Sequence, residues 1–319
     1  SGVAIVADKY WQARAAAAEL KITWDQGTVA GLDTTQMATA MRTYTKAGAS
    51  VVDKGNPGQA LKSAEAKVAA VYEAPYLSHA PLEPQNAIAS VTGSRCEIWA
   101  PTQSPTITQA FVSEAIGIDF DDVKVHVLTA GGGFGRRAIA DVCAEAAVIS
   151  KRVKRPVKVI WTRESDMTQA YYRPVFAVHA TGGVTQGKIA GAQIHCISQS
   201  IPLSSGTLFA AALSGLPGPI RGRVIDAALA PFSTNSFGDI FATEGLGNTP
   251  YDFRAYEVAA SPVQNKLPVA FWRAVGNSVT GFAMESFVDE LCVAAKQDPF
   301  AFRRAMLPEK SRQRRVLDA

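Results

Sequence analysis

The chain has 319 residues, of which 47% are hydrophobic and 19% are charged. This composition is typical of a globular protein with enough apolar material for one large domain or two, and it excludes a disordered protein, a collagen-like repeat and a coiled coil. No run of about 18 apolar residues is present, which excludes an ordinary membrane-spanning helix. The net charge is only +4, with a basic excess near the C-terminal end, a pattern that favours a solvated helix face over a nucleic-acid surface.

The first 65 residues predict two different kinds of segment. Residues 3–7 have the apolar run of a buried strand, residues 21–25 alternate like a second strand, and Asp8 is a typical N-cap for a helix between them. Residues 26–65 are richer in Gly, Thr, Lys and Ser and have weak periodicity. They predict a linker that carries one or two short helices.

A larger domain is predicted to begin near residue 66. We predict strands at 67–73, 86–91, 96–99, 123–128, 157–161 and 253–259, a long antiparallel pair within 176–201, and helices at 106–116, 141–152 and 278–295. Residues 202–249 are rich in Gly, Ser and Pro and show no clear pattern. Because the strands come partly in pairs and partly between helices, the pattern favours an α+β fold with mixed sheets and packed helices.

The four cysteines are far apart in the sequence and form no CxxC pair or Cys/His cluster. This spacing argues against a zinc finger or a set of iron–sulfur ligands. We therefore predict buried thiols and no metal ligand among the residues of this chain. The cysteines are Cys96, Cys143, Cys196 and Cys292.

The sharpest local motif is GGGFGRR at residues 131–137, between a predicted strand and a predicted helix. Clustered glycines let backbone N–H groups approach an anionic ligand, and the two arginines and the following helix add positive charge. The spacing matches neither a dinucleotide fingerprint nor a P-loop. A ligand-binding loop and a tight turn with solvated arginines are equally compatible with the motif by itself.

Three further polar residues are candidates for a site, and each has a structural alternative. His79 lies in a proline-rich segment, where it lines a pocket or serves as a hydrogen-bonded structural residue. Gln103 precedes a predicted helix, where it caps the helix or reaches a ligand. Arg273 stands between aromatic residues and a glycine, where burying a charge costs free energy unless the charge is paired with a carboxylate or binds a ligand. It either stacks on Trp272 with a carboxylate partner or serves a site.

Taken in order, the motifs resemble those of the large, molybdopterin-binding subunits of the xanthine dehydrogenase/aldehyde oxidase family, and most of all isoquinoline 1-oxidoreductase beta-subunit-like proteins. Each motif is moderately specific, whereas their order is highly specific. The motifs are HAPLEP at 79–84, WAPTQS at 99–104, GGGFGRR at 131–137, RPVKVIWTRESDM at 155–167 and FWRAVGNSVTGFAMESFVDEL at 271–291.

The resemblance implies a domain organisation. Residues 1–32 are expected to be the end of an α/β hammerhead-like domain, 33–65 a linker, and 66–319 the first molybdopterin-binding domain, with the second such domain absent. The family's general base, a glutamate, belongs to that second domain. We therefore expect the chain to be a fragment that is inactive in isolation, lacks the cofactor and tends to self-associate.

The resemblance also implies a chemistry, that of a molybdenum-dependent oxidoreductase. Such an enzyme hydroxylates aldehydes or N-heterocycles with oxygen from water and transfers hydride to a Mo–sulfido centre. The implied cofactor is molybdopterin with Mo, in its cytosine dinucleotide form. The implied partners are a small [2Fe–2S] subunit, a cytochrome c and the small-molecule substrate, with no nucleic acid. A periplasmic or membrane-associated setting is implied in the same way.

The resemblance assigns roles to particular residues. Gln103 approaches the metal from its apical side, Phe134 lies near its oxo ligand, and Arg273 orients substrate and stabilises the charge that develops on it. His79 and Glu83 match a pocket-side segment and receive no catalytic role. The implied cofactor-binding residues are Gln103, Gly132, Gly133, Phe134, Gly135 and Arg136.

Two other functions stay open at this point. The chain would be a binding or structural module if it kept the fold without the cofactor. It would be an unrelated phosphate-binding protein if the 131–137 loop acted alone.

Overall fold

The computed structural model describes residues 2–169, 171–204, 218–233 and 238–319. The helices are α1 Tyr10–Ala18, α2 Thr34–Arg42, α3 Pro57–Lys62, α4 Pro105–Ile116, α5 Asp141–Val153, α6 Arg163–Thr168, α7 Ile201–Ser204, α8 Gly218–Ser233, α9 Ile240–Thr243, α10 Asn277–Ala295, α11 Pro299–Met306 and α12 Arg312–Asp318. The strands are β1 Ala49–Lys54, β2 Ala66–Ala74, β3 Leu77–Ser78, β4 Asn86–Thr92, β5 Arg95–Ala100, β6 Val123–Val127, β7 Val157–Ile160, β8 Tyr172–Arg173, β9 Phe176–Thr185, β10 Lys188–Gln199 and β11 Tyr256–Val263. The predicted α+β class is confirmed.

The larger of the two main sheets has the strand order β1-β11-β10-β9-β2. β9 and β10 form the long antiparallel pair that the sequence predicts, with His179 opposite His195, and β10 pairs with β11 in parallel. One face of this sheet is covered by α10, whose buried side chains join the largest apolar cluster of the described residues. Burying that apolar area is the main stabilising contribution of this half of the molecule. The buried α10 side chains include Phe287, Val288, Leu291 and Cys292.

The second sheet, β6-β5-β4-β7, positions the glycine-rich loop. β5 and β6 run parallel, with Ala100 opposite Val127, and α4 connects them. Two parallel strands end at the same edge of a sheet. Gln103, which follows β5, and the 131–137 loop, which follows β6, therefore leave this sheet side by side.

The short strand β8 brings two distant parts of the chain together. It pairs antiparallel with β3, and Tyr172 also forms an isolated bridge with Val269. β3 leads directly into His79, and Val269 leads directly into the 271–273 segment. The segments that carry the imidazole and the candidate arginine therefore lie on either side of β8.

Of the β–α–β unit predicted at the N-terminus, the helix is present but the prediction of its two strands is wrong. Residues 3–7 and 21–25 have no strand partner in the described part of the chain, and Val6 and Trp24 are more than half exposed. The predicted helix is present as α1, but Lys9, not Asp8, is its N-cap. An apolar run specifies a strand only where another strand can accept its backbone hydrogen bonds.

Residues 26–65, predicted to carry one or two short helices, contain the short helices α2 and α3 and one strand that was not predicted. That strand, β1, pairs antiparallel with β11 at the edge of the larger sheet. All four cysteines are buried free thiols, as predicted. No helix within the described ranges is long and apolar enough to cross a membrane.

Candidate functional site

Gln103 binds the glycine loop from the side of β5. Its Oε1 accepts a hydrogen bond of 3.0 Å from the Gly135 amide. Its own backbone amide donates to the carbonyl of Arg137, at 3.0 Å. A Cβ at Gly133 would lie 2.5 Å from Oε1, so that glycine leaves space for the amide group. Gln103 therefore does not cap α4, and its Nε2 has no protein acceptor among the described residues.

The loop itself turns sharply at Phe134 and Gly135. Gly135 has φ +99°, and a Cβ there would lie 2.1 Å from the carbonyl oxygen of Phe271. Only glycine satisfies both conditions. Phe134 also adopts a left-handed conformation, with φ +56°. Within the described ranges, the amides of Gly132, Gly133 and Phe134 donate to no protein acceptor, so the loop offers free N–H donors.

Arg273 lies against this loop as an exposed cation. Its backbone amide donates to the carbonyl of Phe134 at 2.8 Å, and its guanidinium lies 4.3 Å from the centroid of the Phe134 ring. The Trp272 ring is 5.5 Å away. No carboxylate of the described residues forms an ion pair with Arg273. Arg273 therefore lies against the Trp272 ring, as one of the two alternatives required, but it lacks the carboxylate partner of that alternative among the described residues.

The backbone around Arg273 is strained. Arg273 has φ +49° and Val275 has φ +52°. A left-handed conformation is uncommon outside glycine and is a genuine outlier for a β-branched residue such as valine. Strain of this kind persists only where the surrounding contacts determine the conformation, and it concentrates at functional sites.

Arg136 is buried behind the loop, with only 1% of its surface exposed. Its guanidinium forms a bidentate pair with Asp141, with N–O distances of 3.0 and 2.7 Å. The Trp161 and Tyr171 rings lie 5.4 and 5.9 Å from it. The pair neutralises the charge, and it connects the loop to the first turn of α5.

Arg137 holds the other side of the loop. Its Nε donates to the carbonyl of Gly132 at 2.7 Å, and its Nη2 donates to Glu83 Oε2 at 3.0 Å. Glu83 Oε2 also accepts a 2.7 Å bond from the Gly131 amide. Partial burial raises the pKa of Glu83, but the Gly131 amide, the Asn86 side chain and Arg137 outweigh this effect and lower the pKa below its usual range. Both arginines are buried supports, so the alternative of a turn with solvated arginines is wrong.

His79 is buried beneath the site, with 5% of its surface exposed. Its Nε2 lies 2.7 Å from the carbonyl oxygen of Phe271. The pKa of His79 falls to about 4, mainly because the imidazole is buried and also because of the nearby charge of Arg136, and hydrogen bonds to backbone carbonyls oppose part of this fall. The imidazole is therefore neutral at pH 7. Of the two roles considered above, His79 has that of a hydrogen-bonded structural residue and does not line a pocket.

Two supporting carboxylates were not predicted. Asp141 neutralises Arg136. Glu244 holds the chain just after Arg273, since its Oε2 accepts a hydrogen bond from the Gly276 amide at 3.2 Å. Asp141 is close to its partner in sequence, so an acid five residues after a buried arginine is a weak signal for it. Glu244 lies in the 202–249 interval, and nothing in the local sequence indicates its contact.

The donors at this site suit one class of ligand. They are backbone amides, one side-chain amide and one guanidinium, all of which donate hydrogen bonds to oxygen-rich or anionic groups. No cluster of three or more His, Cys, Asp or Glu side chains that could hold a metal is found in the described part of the chain. The arrangement therefore fits an anionic organic ligand better than a bare cation.

Comparison with known proteins gives a consistent result. A family model described as "Molybdopterin cofactor-binding domain" matches residues 39–235. The chain is 28% identical over 302 residues to one of the subunits of nicotinate dehydrogenase from Pseudomonas putida, covering 94% of this chain and 24% of that protein. It is 27% identical over 329 residues to the beta subunit of isoquinoline 1-oxidoreductase from Brevundimonas diminuta, covering 96% and 38%. The chain thus spans well under half the length of these relatives.

Solved structures share the fold. The aldehyde oxidoreductase of Desulfovibrio gigas superimposes with a TM-score of 0.65 at 18% identity, covering 96% of this chain and 31% of that one. Quinoline 2-oxidoreductase of Pseudomonas putida gives a TM-score of 0.65 at 17% identity, covering 97% and 37%. The likeness extends over nearly the whole chain, which supports the mixed α+β architecture.

Proposed function

Because the chain belongs to the family of molybdopterin cofactor-binding domains, we propose that the 131–137 loop, Gln103 and Arg273 form one side of a molybdenum hydroxylase site in a longer protein. One observation carries the proposal. The free amides of the loop, the free Nε2 of Gln103 and the guanidinium of Arg273 are all connected through contacts with residues 134 and 135. A loop that served only as a turn would not need so many unpaired donors in one place.

The residues present fit the proposed cofactor. An anionic pyranopterin and its metal ligands offer oxygen and sulfur acceptors, and the loop offers amide donors with no side chains to obstruct them. In this proposal Gln103 and the glycine loop contact the cofactor, while Arg136 keeps the loop in place through Asp141. When bound, the cofactor would supply the molybdenum centre at which a substrate carbon is hydroxylated with oxygen from water. The cytosine dinucleotide form is part of the proposal.

Arg273 would act on the substrate. Its guanidinium is exposed and has no carboxylate partner among the described residues, so its full charge is available to a group that becomes negative during the reaction. Contact with the Phe134 ring and the backbone bond to Phe134 fix its position beforehand. A preorganised cation loses little free energy to reorganisation as the charge develops. An aldehyde oxygen or a ring nitrogen of an N-heterocycle is the substrate atom that this arrangement would bind.

The longer protein would supply the rest of the site. The two relatives described above are named as subunits, one of nicotinate dehydrogenase and the other of isoquinoline 1-oxidoreductase. We propose that this protein is likewise one subunit of a complex. In this proposal a [2Fe–2S] subunit and a cytochrome c are its electron acceptors, and its general base lies outside these 319 residues.

The test is elemental analysis and oxidation assays on the full-length protein with its partner subunits. We expect about one molybdenum per chain, and oxidation of an aldehyde or N-heterocycle that falls at least 100-fold in Arg273→Ala, in line with the loss of one preorganised charge-stabilising donor. The Arg273→Ala protein should keep its molybdenum. Arg304→Ala, which removes an exposed arginine paired with Asp318, is the matched control and should keep full activity. A folded, mature protein without molybdenum would favour the non-catalytic module instead.

A further inference from the structure

His79 connects the glycine loop with the segment that carries Arg273, although it lies outside the set of donors described above. We propose that His79 is a positioning residue that holds Arg273 against the loop through the carbonyl of Phe271. This inference rests on the proposed role of Arg273 as the group that binds substrate. It assigns no proton transfer to His79 itself.

The contacts form a short continuous chain. His79 Nε2 donates to the Phe271 carbonyl oxygen at 2.7 Å. The same oxygen packs on Gly135, where the position of a Cβ would be only 2.1 Å away. Two residues further along, the Arg273 amide donates to the carbonyl of Phe134 at 2.8 Å. The Phe271 carbonyl is thus held between the imidazole and the loop, and its position determines the position of the Arg273 backbone two residues later.

The strained backbone needs this restraint. Phe134, Arg273 and Val275 all have positive φ, at +56°, +49° and +52°. Such conformations relax unless both ends of the segment are held. Glu244 holds the C-terminal end through the Gly276 amide, at 3.2 Å. Among the side chains of the described residues, His79 is the one that holds the N-terminal end at the Phe271 carbonyl.

The hydrogen bond also determines the tautomer of His79. A carbonyl oxygen can only accept, so Nε2 must carry the proton. The ring is 5% exposed, and its donor is engaged by backbone. The other ring nitrogen, Nδ1, is buried as well, so neither nitrogen reaches a substrate, which distinguishes a positioning role from a catalytic one.

Three variants of the full-length protein test the inference by backbone hydrogen exchange. His79→Leu keeps much of the volume and removes the donor. His79→Gln places an amide donor close to the position of Nε2. His179→Leu is the matched control, since His179, on β9 of the larger sheet, also has its Nε2 3.0 Å from a backbone carbonyl oxygen, that of Met41.

We expect His79→Leu to accelerate exchange of peptides that contain the Arg273 amide by roughly tenfold, the effect of losing one buried hydrogen bond. His79→Gln should restore most of the protection. His179→Leu should leave these peptides unchanged. Unchanged exchange in His79→Leu, or equal acceleration in His179→Leu, would overturn the proposal. Should His79→Leu not fold, His79→Asn, whose shorter amide does not reach the carbonyl, is expected to give the same acceleration.

Kinetics of the assembled enzyme separate this inference from the proposed function. His79→Leu should keep its molybdenum and lose about tenfold in kcat with a smaller change in KM, because a displaced Arg273 stabilises the transition state less well. Faster exchange together with unchanged kcat would support the positioning of the segment but would contradict the role of Arg273. An enzyme without molybdenum would contradict the proposed function and leave the exchange result to decide the role of His79.

Discussion

The Arg273 amide donates a 2.8 Å hydrogen bond to the carbonyl of Phe134, and the guanidinium of the same arginine lies 4.3 Å from the centroid of the Phe134 ring. Both residues have positive φ. The backbone bond fixes the two segments relative to each other, and the ring contact fixes the direction of the side chain. A long, flexible arginine is thereby held with little freedom at the edge of the site.

The first prediction concerns this ring contact. Phe134→Leu keeps an apolar side chain but removes the aromatic face, and a cation–π contact at a partly exposed site contributes about 0.5–1 kcal/mol. We expect kcat/KM of the full-length enzyme to fall about two- to fivefold, with molybdenum content unchanged. Phe282→Leu, at an exposed position on α10, is the control and should have no effect. A Phe134→Leu enzyme with wild-type kinetics would show that the ring does not orient Arg273.

The second prediction concerns Gly135. Gly135→Ala requires a left-handed alanine and brings its Cβ to about the position that lies 2.1 Å from the Phe271 carbonyl oxygen. Since backbone atoms must move, we expect a loss of at least about 2 kcal/mol in the free energy of unfolding, and loss of bound molybdenum. Thermal and denaturant unfolding measure the first effect, and elemental analysis the second.

Gly281→Ala is the matched control for Gly135→Ala. Gly281 lies within α10, and a Cβ there meets nothing within 4 Å. Alanine favours the helix over glycine by about 0.5–1 kcal/mol, so this variant should be slightly more stable than the wild type. Equal behaviour of the two alanine variants would contradict the close approach of Gly135 and Phe271.

The third prediction concerns the buried pair of Arg136 and Asp141. Asp141→Asn leaves a guanidinium that is 1% exposed without its compensating charge. Breaking a buried ion pair from one side costs about 3–5 kcal/mol. We expect a correspondingly lower free energy of unfolding by chemical denaturation. Asp318→Asn, which breaks the exposed pair with Arg304, should leave stability unchanged, and a similar small effect in Asp141→Asn would show that Arg136 finds another partner.

The fourth prediction concerns pH. The pKa of His79 falls from its ordinary value of 6.5 to about 4 in the folded protein, first because of burial and then because of Arg136. The unfolded chain therefore binds more protons between these two values, and stability from His79 is complete above pH 6.5 and is lost as the pH falls towards 4. The loss amounts to roughly 3 kcal/mol at about 1.4 kcal/mol per pKa unit.

His79→Gln isolates this effect, because glutamine does not titrate. The difference in free energy of unfolding between the wild type and His79→Gln should shrink as the pH is lowered from 7 to 4. Denaturant unfolding at several pH values measures it. A difference that stays constant over this range would show that the imidazole is already charged, or is solvated, in the folded protein.

The sequence predicts most of the regular structure because its signals are local. Apolar alternation predicts β4, β5 and β6 closely, and spacing of 3.6 residues predicts α4, α5 and α10. These patterns need no knowledge of the rest of the chain. The ordered motifs at 79–84, 99–104, 131–137, 155–167 and 271–291 also indicate the family, and the family match confirms that resemblance.

The tertiary structure decides what depends on partners that are distant in sequence. Residues 3–7 have the composition of a strand and find no strand to pair with among the described residues, whereas β1 becomes a strand because β11 lies beside it. In the same way, Arg136 is a buried support and Arg273 an exposed cation, although both follow glycine or aromatic residues in the sequence. Whether a charge is neutralised depends on which carboxylate the fold brings within hydrogen-bond distance, and short-range pattern does not contain that information.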